Sequence, residues 1–174
     1  MKDAMMDAGR SALFDLFYRE NYPRIYRYSY RLVGNSEEAE QLTQESFKNL
    51  YCVFANGMRI TDIKALAFRI AHNVCINFLK KGDKFKNILR HNDCAFPLSV
   101  PSAEDEVIAR HRLELLRQAI LSLSKRDQQC LFLYWEGFSY REISTITHIR
   151  GTSIGRILAR AVNKLSNQCQ RGEV

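Results

Sequence analysis

Proline is scarce in this 174-residue chain, at three residues, and glycine is also few, at eight. A composition that poor in both excludes collagen-like chains and Pro/Gly-rich disorder, and leaves a mostly ordered, helical protein. No stretch approaches the ~18 uncharged apolar residues of a spanning helix, so no membrane insertion is expected. The first ten residues carry Asp3 and Asp7 and no apolar run of the kind a secretory signal needs, so the expected address is the cytoplasm. Cysteine is present but unpatterned: Cys52, Cys75, Cys94, Cys130 and Cys169 are odd in number and widely spaced, with no C-x-x-C pair. They read as buried or free thiols, and neither a metal nor any other cofactor is expected. Acidic residues are the remaining deficit, nineteen against twenty-six Lys and Arg, giving a net charge of +7. An anionic partner follows, nucleic acid first and an anionic membrane surface second.

What is there is helical periodicity. Between Ser11 and Val33, Leu13, Leu16, Phe17, Ile25, Leu32 and Val33 recur at three- and four-residue steps. Tyr18, Tyr22, Tyr26 and Tyr30 form a ladder along the same segment; such rings pack as a core seam or stack on bases, and helical spacing favours the seam. Pro23 predicts a break or restart near Tyr22. Gly34-Asn35-Ser36 interrupts the pattern, and Asn35 with Glu38 has the form of a capping box opening a helix to about Ala55. Its first turns hold Glu37, Glu38, Glu40 and Glu45 without one basic residue, a local contradiction in a basic chain. The helix dipole accounts for Glu37 and Glu38, and accounts poorly for Glu45 two turns further on.

Asn56-Gly57 breaks the chain again, and Thr61 or Asp62 caps a third helix reaching Lys81. Opposite its apolar face stand Arg69, His72, Asn73, Asn77, Lys80 and Lys81, cations and amides that suit phosphates and base edges, although a solvated face looks much the same. Periodicity fails from Gly82 to Ala103, where Pro97 and Pro101 lie, so this stretch reads as a linker with a basic start at Lys81 to Arg90. The expected architecture is all-α: two small helical domains, about 11–81 and 104–167, on a flexible tether.

In the second domain, Ser102 with Asp105 opens a helix, and Ser124 and Asp127 cap a short one, Gln128 to Trp135, apolar on nearly every side, with Trp135 as an expected core anchor. Ser139 and Glu142 form a further capping box, a turn follows at His148-Ile149-Arg150, and Thr152 or Ser153 starts a last amphipathic, basic helix. Two short helices around a tight turn are the helix-turn-helix arrangement, whose second helix enters the DNA major groove. The groove-facing candidates are Arg150, Thr152, Ser153, Gly155, Arg156 and Ala159, with Arg160 and Lys164 better placed for phosphates; a plain helical hairpin with a basic surface is the alternative.

Three stretches resemble the extracytoplasmic-function sigma factors, the smallest bacterial RNA polymerase sigma subunits, which keep conserved regions two and four. Ala39-Glu40-Gln41-Leu42-Thr43-Gln44-Glu45-Ser46-Phe47 resembles that family's A-E-D-L-x-Q-E-x-F. Phe68 to Lys81 resembles its R-I-A-R-N-x-x-I-D-x-L-R-R helix. Leu123 to Leu165, with Glu136-Gly137-Phe138-Ser139-Tyr140-Arg141-Glu142-Ile143 inside it, resembles the region-four helix-turn-helix. The resemblance implies region two over 1–81, a linker over 82–103 and region four over 104–174. It implies a promoter-specificity subunit without a catalytic site, whose partners are the clamp helices and flap of bacterial core RNA polymerase, promoter DNA and, where one exists, an anti-sigma factor.

On the same resemblance, Glu37, Glu40, Gln41, Gln44 and Glu45 dock on the polymerase clamp, which resolves the acidic contradiction. Asn56, Arg69, His72, Asn73, Asn77, Lys80 and Lys81 meet the minus-10 element, and Arg150, Thr152, Ser153, Gly155, Arg156 and Arg160 the minus-35 element. The chain departs from the family pattern at Gln41, at His72 and Asn77, at Leu66 and at His148, which stands where the turn usually has Gly. Two rivals remain: a stand-alone helix-turn-helix regulator, which gives no reason for the polar face around Asn73, and a nucleic-acid-processing enzyme, which needs carboxylates or metal ligands beside the basic surface.

Overall fold

A computed structural model describes residues 2–56, 61–81 and 103–171, all of them in helices or the short turns between. The chain divides into two compact units, Met1–His91 and Asn92–Val174. The linker expected over 82–103 falls, but for its last residue, outside the described residues, as do Cys94 and the tip of the loop after Asn56.

In the first unit, α1 (Lys2–Val33), α2 (Ser36–Ala55) and α3 (Ile63–Lys81) pack against one another in all three pairings. Helix α1 ends because Gly34 takes the left-handed conformation, φ 80°, and its N–H donates to the Tyr30 carbonyl at 2.8 Å. Asn35 then caps α2, its Oδ1 accepting the Glu38 N–H at 3.0 Å. Asp62 does the same for α3, accepting the Ala65 N–H at 2.9 Å. Ile25, Tyr28, Val33, Leu50 and Phe68 form the fully buried centre, each such side chain contributing about 1.5–3 kcal/mol by leaving water.

The break expected at Pro23 does not occur; α1 runs through it. The ring is exposed, so the carbonyl that loses its N–H partner faces water, while Asn21 and Ile25 on either side are buried. Asn21 also donates from its side chain to the Phe17 carbonyl at 3.0 Å, reinforcing the turn before the proline. Tertiary packing thus offsets the ~3 kcal/mol that an internal proline costs. The tyrosine ladder packs as a seam: Tyr22 and Tyr26 stack at 6.5 Å, Tyr26 and Tyr30 at 6.2 Å, and Tyr22 stacks on Phe47 of α2 at 5.9 Å.

In the second unit, α7 (Gly151–Arg171) packs on α4 (Ala103–Leu121), α5 (Lys125–Trp135) and α6 (Tyr140–Thr147). Ser124 caps α5, accepting the Asp127 N–H at 3.1 Å. The buried Gln128 closes the α4–α5 turn by donating to the carbonyls of Ile120 and Leu123 at 2.9 and 3.3 Å. Trp135 is not the core anchor expected of it: it is 40% exposed, its ring tilted against Phe132 at 5.9 Å. The buried apolar positions of α5 are instead Cys130 to Leu133, and Trp135 is the last residue of the helix, two positions before Gly137, φ 85°, turns the chain and sends Phe138 inward.

Candidate polymerase and nucleic-acid interfaces

Helix α2 buries Ala39, Leu42, Thr43, Ser46, Phe47 and Leu50, which leaves Glu37, Glu40, Gln41, Gln44 and Glu45 exposed. Gln44 donates to the Glu40 carboxylate at 3.3 Å, one turn apart, so two of the docking candidates are ordered by each other. Glu45 stands apart from the rest of that rim. With Asn49 it lines a groove of about 460 Å³ along the α2–α3 seam, where Asn73, Asn77 and Lys81 of α3 complete the polar wall. Leu42, Val53, Ile70, Val74 and Phe78 supply its apolar surface. The structure therefore brings together residues that sequence reasoning had placed on two surfaces, one for protein and one for DNA. It also adds Asn49, whose only signal in the sequence was its place one turn beyond Glu45.

His72 does not belong to the displayed face of α3. It is 5% exposed, and its Nδ1 lies 2.8 Å from the Tyr28 hydroxyl of α1. Because α3 packs on both α1 and α2, its buried stripe is wider than a one-sided helix would have, and takes in His72 beside Phe68, Ala71, Cys75 and Leu79. Arg69 is half-buried, whereas Asn73, Asn77, Lys80 and Lys81 are exposed, and so is Asn56, whose backbone closes α2 by donating to the Cys52 carbonyl at 3.2 Å. Burial pushes the Cys75 thiol up to about 12 and the Cys130 thiol to about 11, so both stay protonated and inert at neutral pH. Cys52 is exposed.

The second surface is built by α6 and α7. Ser139 accepts the Glu142 N–H at 3.4 Å while the Glu142 carboxylate accepts the Ser139 N–H at 2.7 Å, a complete capping box. His148 ends α6 in the left-handed conformation, φ 59° and ψ 21°, the geometry a glycine takes without strain. The turn is braced from both sides: Ser144 donates to the Ile149 carbonyl at 2.6 Å, and the Ile149 N–H to the Thr147 hydroxyl at 3.3 Å. Ile143 and Ile146 meet Ile154, Ile157, Leu158 and Ala161 in the core.

Of the groove-facing candidates, Arg150, Thr152, Arg156 and Ala159 are exposed; Ser153 and Gly155 are half-buried. Arg160 is exposed but not idle. Its guanidinium reaches across to the buried Asp127 carboxylate of α5 at 2.5 Å, which is why Asp127 does not serve as a cap with Ser124. One turn on, Lys164 donates to the Ser122 carbonyl at 2.5 Å. Both cations thus tie α7 to the α4–α5 turn, and a phosphate has to compete for them.

Among the described residues, no group of three or more His, Cys, Asp and Glu side chains is placed to hold a metal ion, and no helix is long and apolar enough to cross a membrane. Comparison with known proteins matches Sigma-70 region 2 to residues 17–85 and Sigma-70, region 4 to residues 113–165. The RNA polymerase sigma factor YlaC of Bacillus subtilis is 27% identical over 154 residues, 87% of this chain and 88% of its own. The ECF RNA polymerase sigma factor SigE of Mycolicibacterium smegmatis is 29% identical over 161 residues, 91% of this chain and 61% of the longer relative. In fold, the chain is similar to the sigma factor RpoE of Bartonella quintana, solved with the anti-sigma factor NepR, at a TM-score of 0.65 and 20% identity over 90% of this chain and 96% of that one. With region 2 on the three-helix unit and region 4 on the helix-turn-helix, this chain belongs to the sigma-70 family as an extracytoplasmic-function sigma factor.

Proposed function

We propose that this sigma factor binds bacterial core RNA polymerase in the cytoplasm and directs initiation at promoters that carry a minus-10 and a minus-35 element. The observation that carries the reading is the order of parts on one chain: an acidic rim and an amide-lined groove on region 2, then a helix-turn-helix on region 4. A stand-alone regulator leaves the first two without a use. Residues 1–81 act as the docking and minus-10 domain, 82–103 as the tether that sets element spacing, and 104–174 as the minus-35 domain.

Glu37, Glu40, Gln41 and Gln44 meet the basic surface of the clamp, where opposite charge sets orientation and on-rate. Glu45 lies where that surface passes into the groove. Asn49, Asn73 and Asn77 each carry both a donor and an acceptor, so they suit the edges of unstacked bases in the melted strand. Arg69, Lys80 and Lys81 hold its backbone. On the duplex side, Arg156 pairs with a guanine edge while Arg150, Thr152 and Ser153 fix the entering end of α7. Bond formation belongs to the polymerase. An anti-sigma factor of the kind that accompanies the Bartonella relative is a further expected partner.

Run-off transcription tests the whole. Purified chain with core polymerase, presented with a library of genomic fragments, should initiate from a subset sharing two spaced elements; initiation from none, or equally from all, refutes the reading.

A further inference from the structure

The outward face of α7 over its first two turns holds little side chain. Among positions 152, 155, 156 and 159, Thr152, Gly155 and Ala159 are short, and Arg156 alone is long. A recognition helix so stripped leaves most base edges opposite it untouched. The space over Gly155 is nevertheless occupied. A Cβ placed there would meet the ring of Tyr140, its Cε2 at 3.5 Å and its Cδ2 at 4.0 Å. Tyr140 is the first residue of α6, anchored by the Ser139–Glu142 capping box, and 48% of it is exposed. The Tyr134 ring flanks it, with centroids 6.2 Å apart and planes tilted by 49°.

From this geometry we propose that Tyr140 is a specificity-determining residue of the minus-35 contact: its ring fills the place left by the missing side chain at 155 and presents an apolar edge to a thymine methyl group beside the base that Arg156 reads. The proposal rests on the reading of α6 and α7 as the duplex-binding surface. Three features make the ring suited to the task. It lies against α7 at Gly155. It is held between Gly155 and Tyr134, so little rotamer freedom is lost on contact. Its carbon edge offers the apolar partner that the C5-methyl of thymine requires in the major groove.

The test uses the full chain with core polymerase and a promoter library randomised across the upstream element. Wild type, Tyr140→Ala, Tyr140→Phe and Gly155→Leu are compared by the sequences each transcribes, with core binding measured alongside. The wild type should show a thymine preference at one position next to the Arg156-dependent one. Tyr140→Ala should lower that preference about tenfold, the scale of one mismatched base pair, and leave core binding intact. Tyr140→Phe should keep it. Gly155→Leu, whose longer side chain displaces the ring, should lose it at the same position, which guards against a folding defect special to Tyr140→Ala. Unchanged preferences in Tyr140→Ala overturn the proposal. So does a uniform loss in both Tyr140→Ala and Tyr140→Phe, since that marks a hydroxyl bonded to phosphate. A wild-type chain that selects no upstream sequence overturns the reading of region 4 itself, whereas selection that survives in every variant overturns only the role of Tyr140.

Discussion

The two surfaces assigned to DNA are built on opposite plans. The α2–α3 seam is a groove, walled by Asn49, Asn73, Asn77, Glu45 and Lys81 over an apolar base. The leading face of α7 is a bare ridge with one long side chain, Arg156, and small residues around it. A groove with amides can surround a base that has left its stack, but it cannot approach a duplex closely. A ridge of small residues can lie deep in a major groove and has nothing with which to enclose a free base. The contrast teaches that charge alone does not divide labour here. Both units carry exposed cations; what separates the α2–α3 seam from the leading face of α7 is concavity and the placement of amides.

The hardest way to break the comparison is to unfold one side of it. Leu131 is 1% exposed in the second unit, and Leu131→Ala should cost about 2–5 kcal/mol there. If the units act separately, thermal melting should lose one transition while core binding through α2 survives. Loss of both together would show that the groove and the ridge are not independent. Next in size is the Tyr28–His72 bond, which fixes α3 to α1 beneath Asn73. His72→Leu should destabilise the first unit by about 1–3 kcal/mol, because a buried Tyr28 hydroxyl loses its His72 partner. Chemical denaturation of the full chain, followed by a probe in α3, checks this.

That bond also marks how far the sequence could be read. Caps and breaks at Gly34, Asn35, Ser124, Ser139 and Gly137 were legible because each acts through its own neighbours. The all-α fold followed from periodicity. Pro23 and His72 misled because their outcome depends on what packs against them from elsewhere in the chain, and Trp135 because it falls at the very end of α5. The Arg160–Asp127 pair joins residues thirty-three positions apart, and no local pattern announces it. The groove was half legible. Asn73 and Asn77 were found from one helix, but Asn49 and the true place of Glu45 needed the second helix laid beside it.

Within the ridge, Arg156→Ala should reduce transcription from promoters that need the upstream element by about tenfold or more, as the loss of a bidentate guanine contact worth about 1–3 kcal/mol implies. Core binding should not change. Arg160→Ala sharpens the point from the other side. Since Arg160 is held by the buried Asp127, its removal should destabilise the second unit and weaken DNA binding without altering base preference. A changed preference would place Arg160 on a base after all. Selection on the randomised upstream library, with a melting curve for each variant, separates these outcomes.

The smallest effect distinguishes the rim from the groove. Glu40 and Glu45 are both exposed acids of α2, yet only Glu45 lines the seam with Asn73 and Asn77. Exposed charges of this kind contribute no more than about 1 kcal/mol and are screened by salt. Glu40→Lys should therefore slow association with core polymerase at low ionic strength, with the difference from wild type fading as salt rises, and should leave single-stranded minus-10 DNA binding as it was. Glu45→Lys should also weaken core binding at low salt. Unlike Glu40→Lys, it adds a cation to the groove wall, so the assembled holoenzyme should hold the non-template strand more tightly. Stopped-flow association and strand-binding titrations across a salt series read both quantities. Equal behaviour of the two variants on the single strand would mean that Glu45 belongs to the rim, and that the groove ends at Asn49.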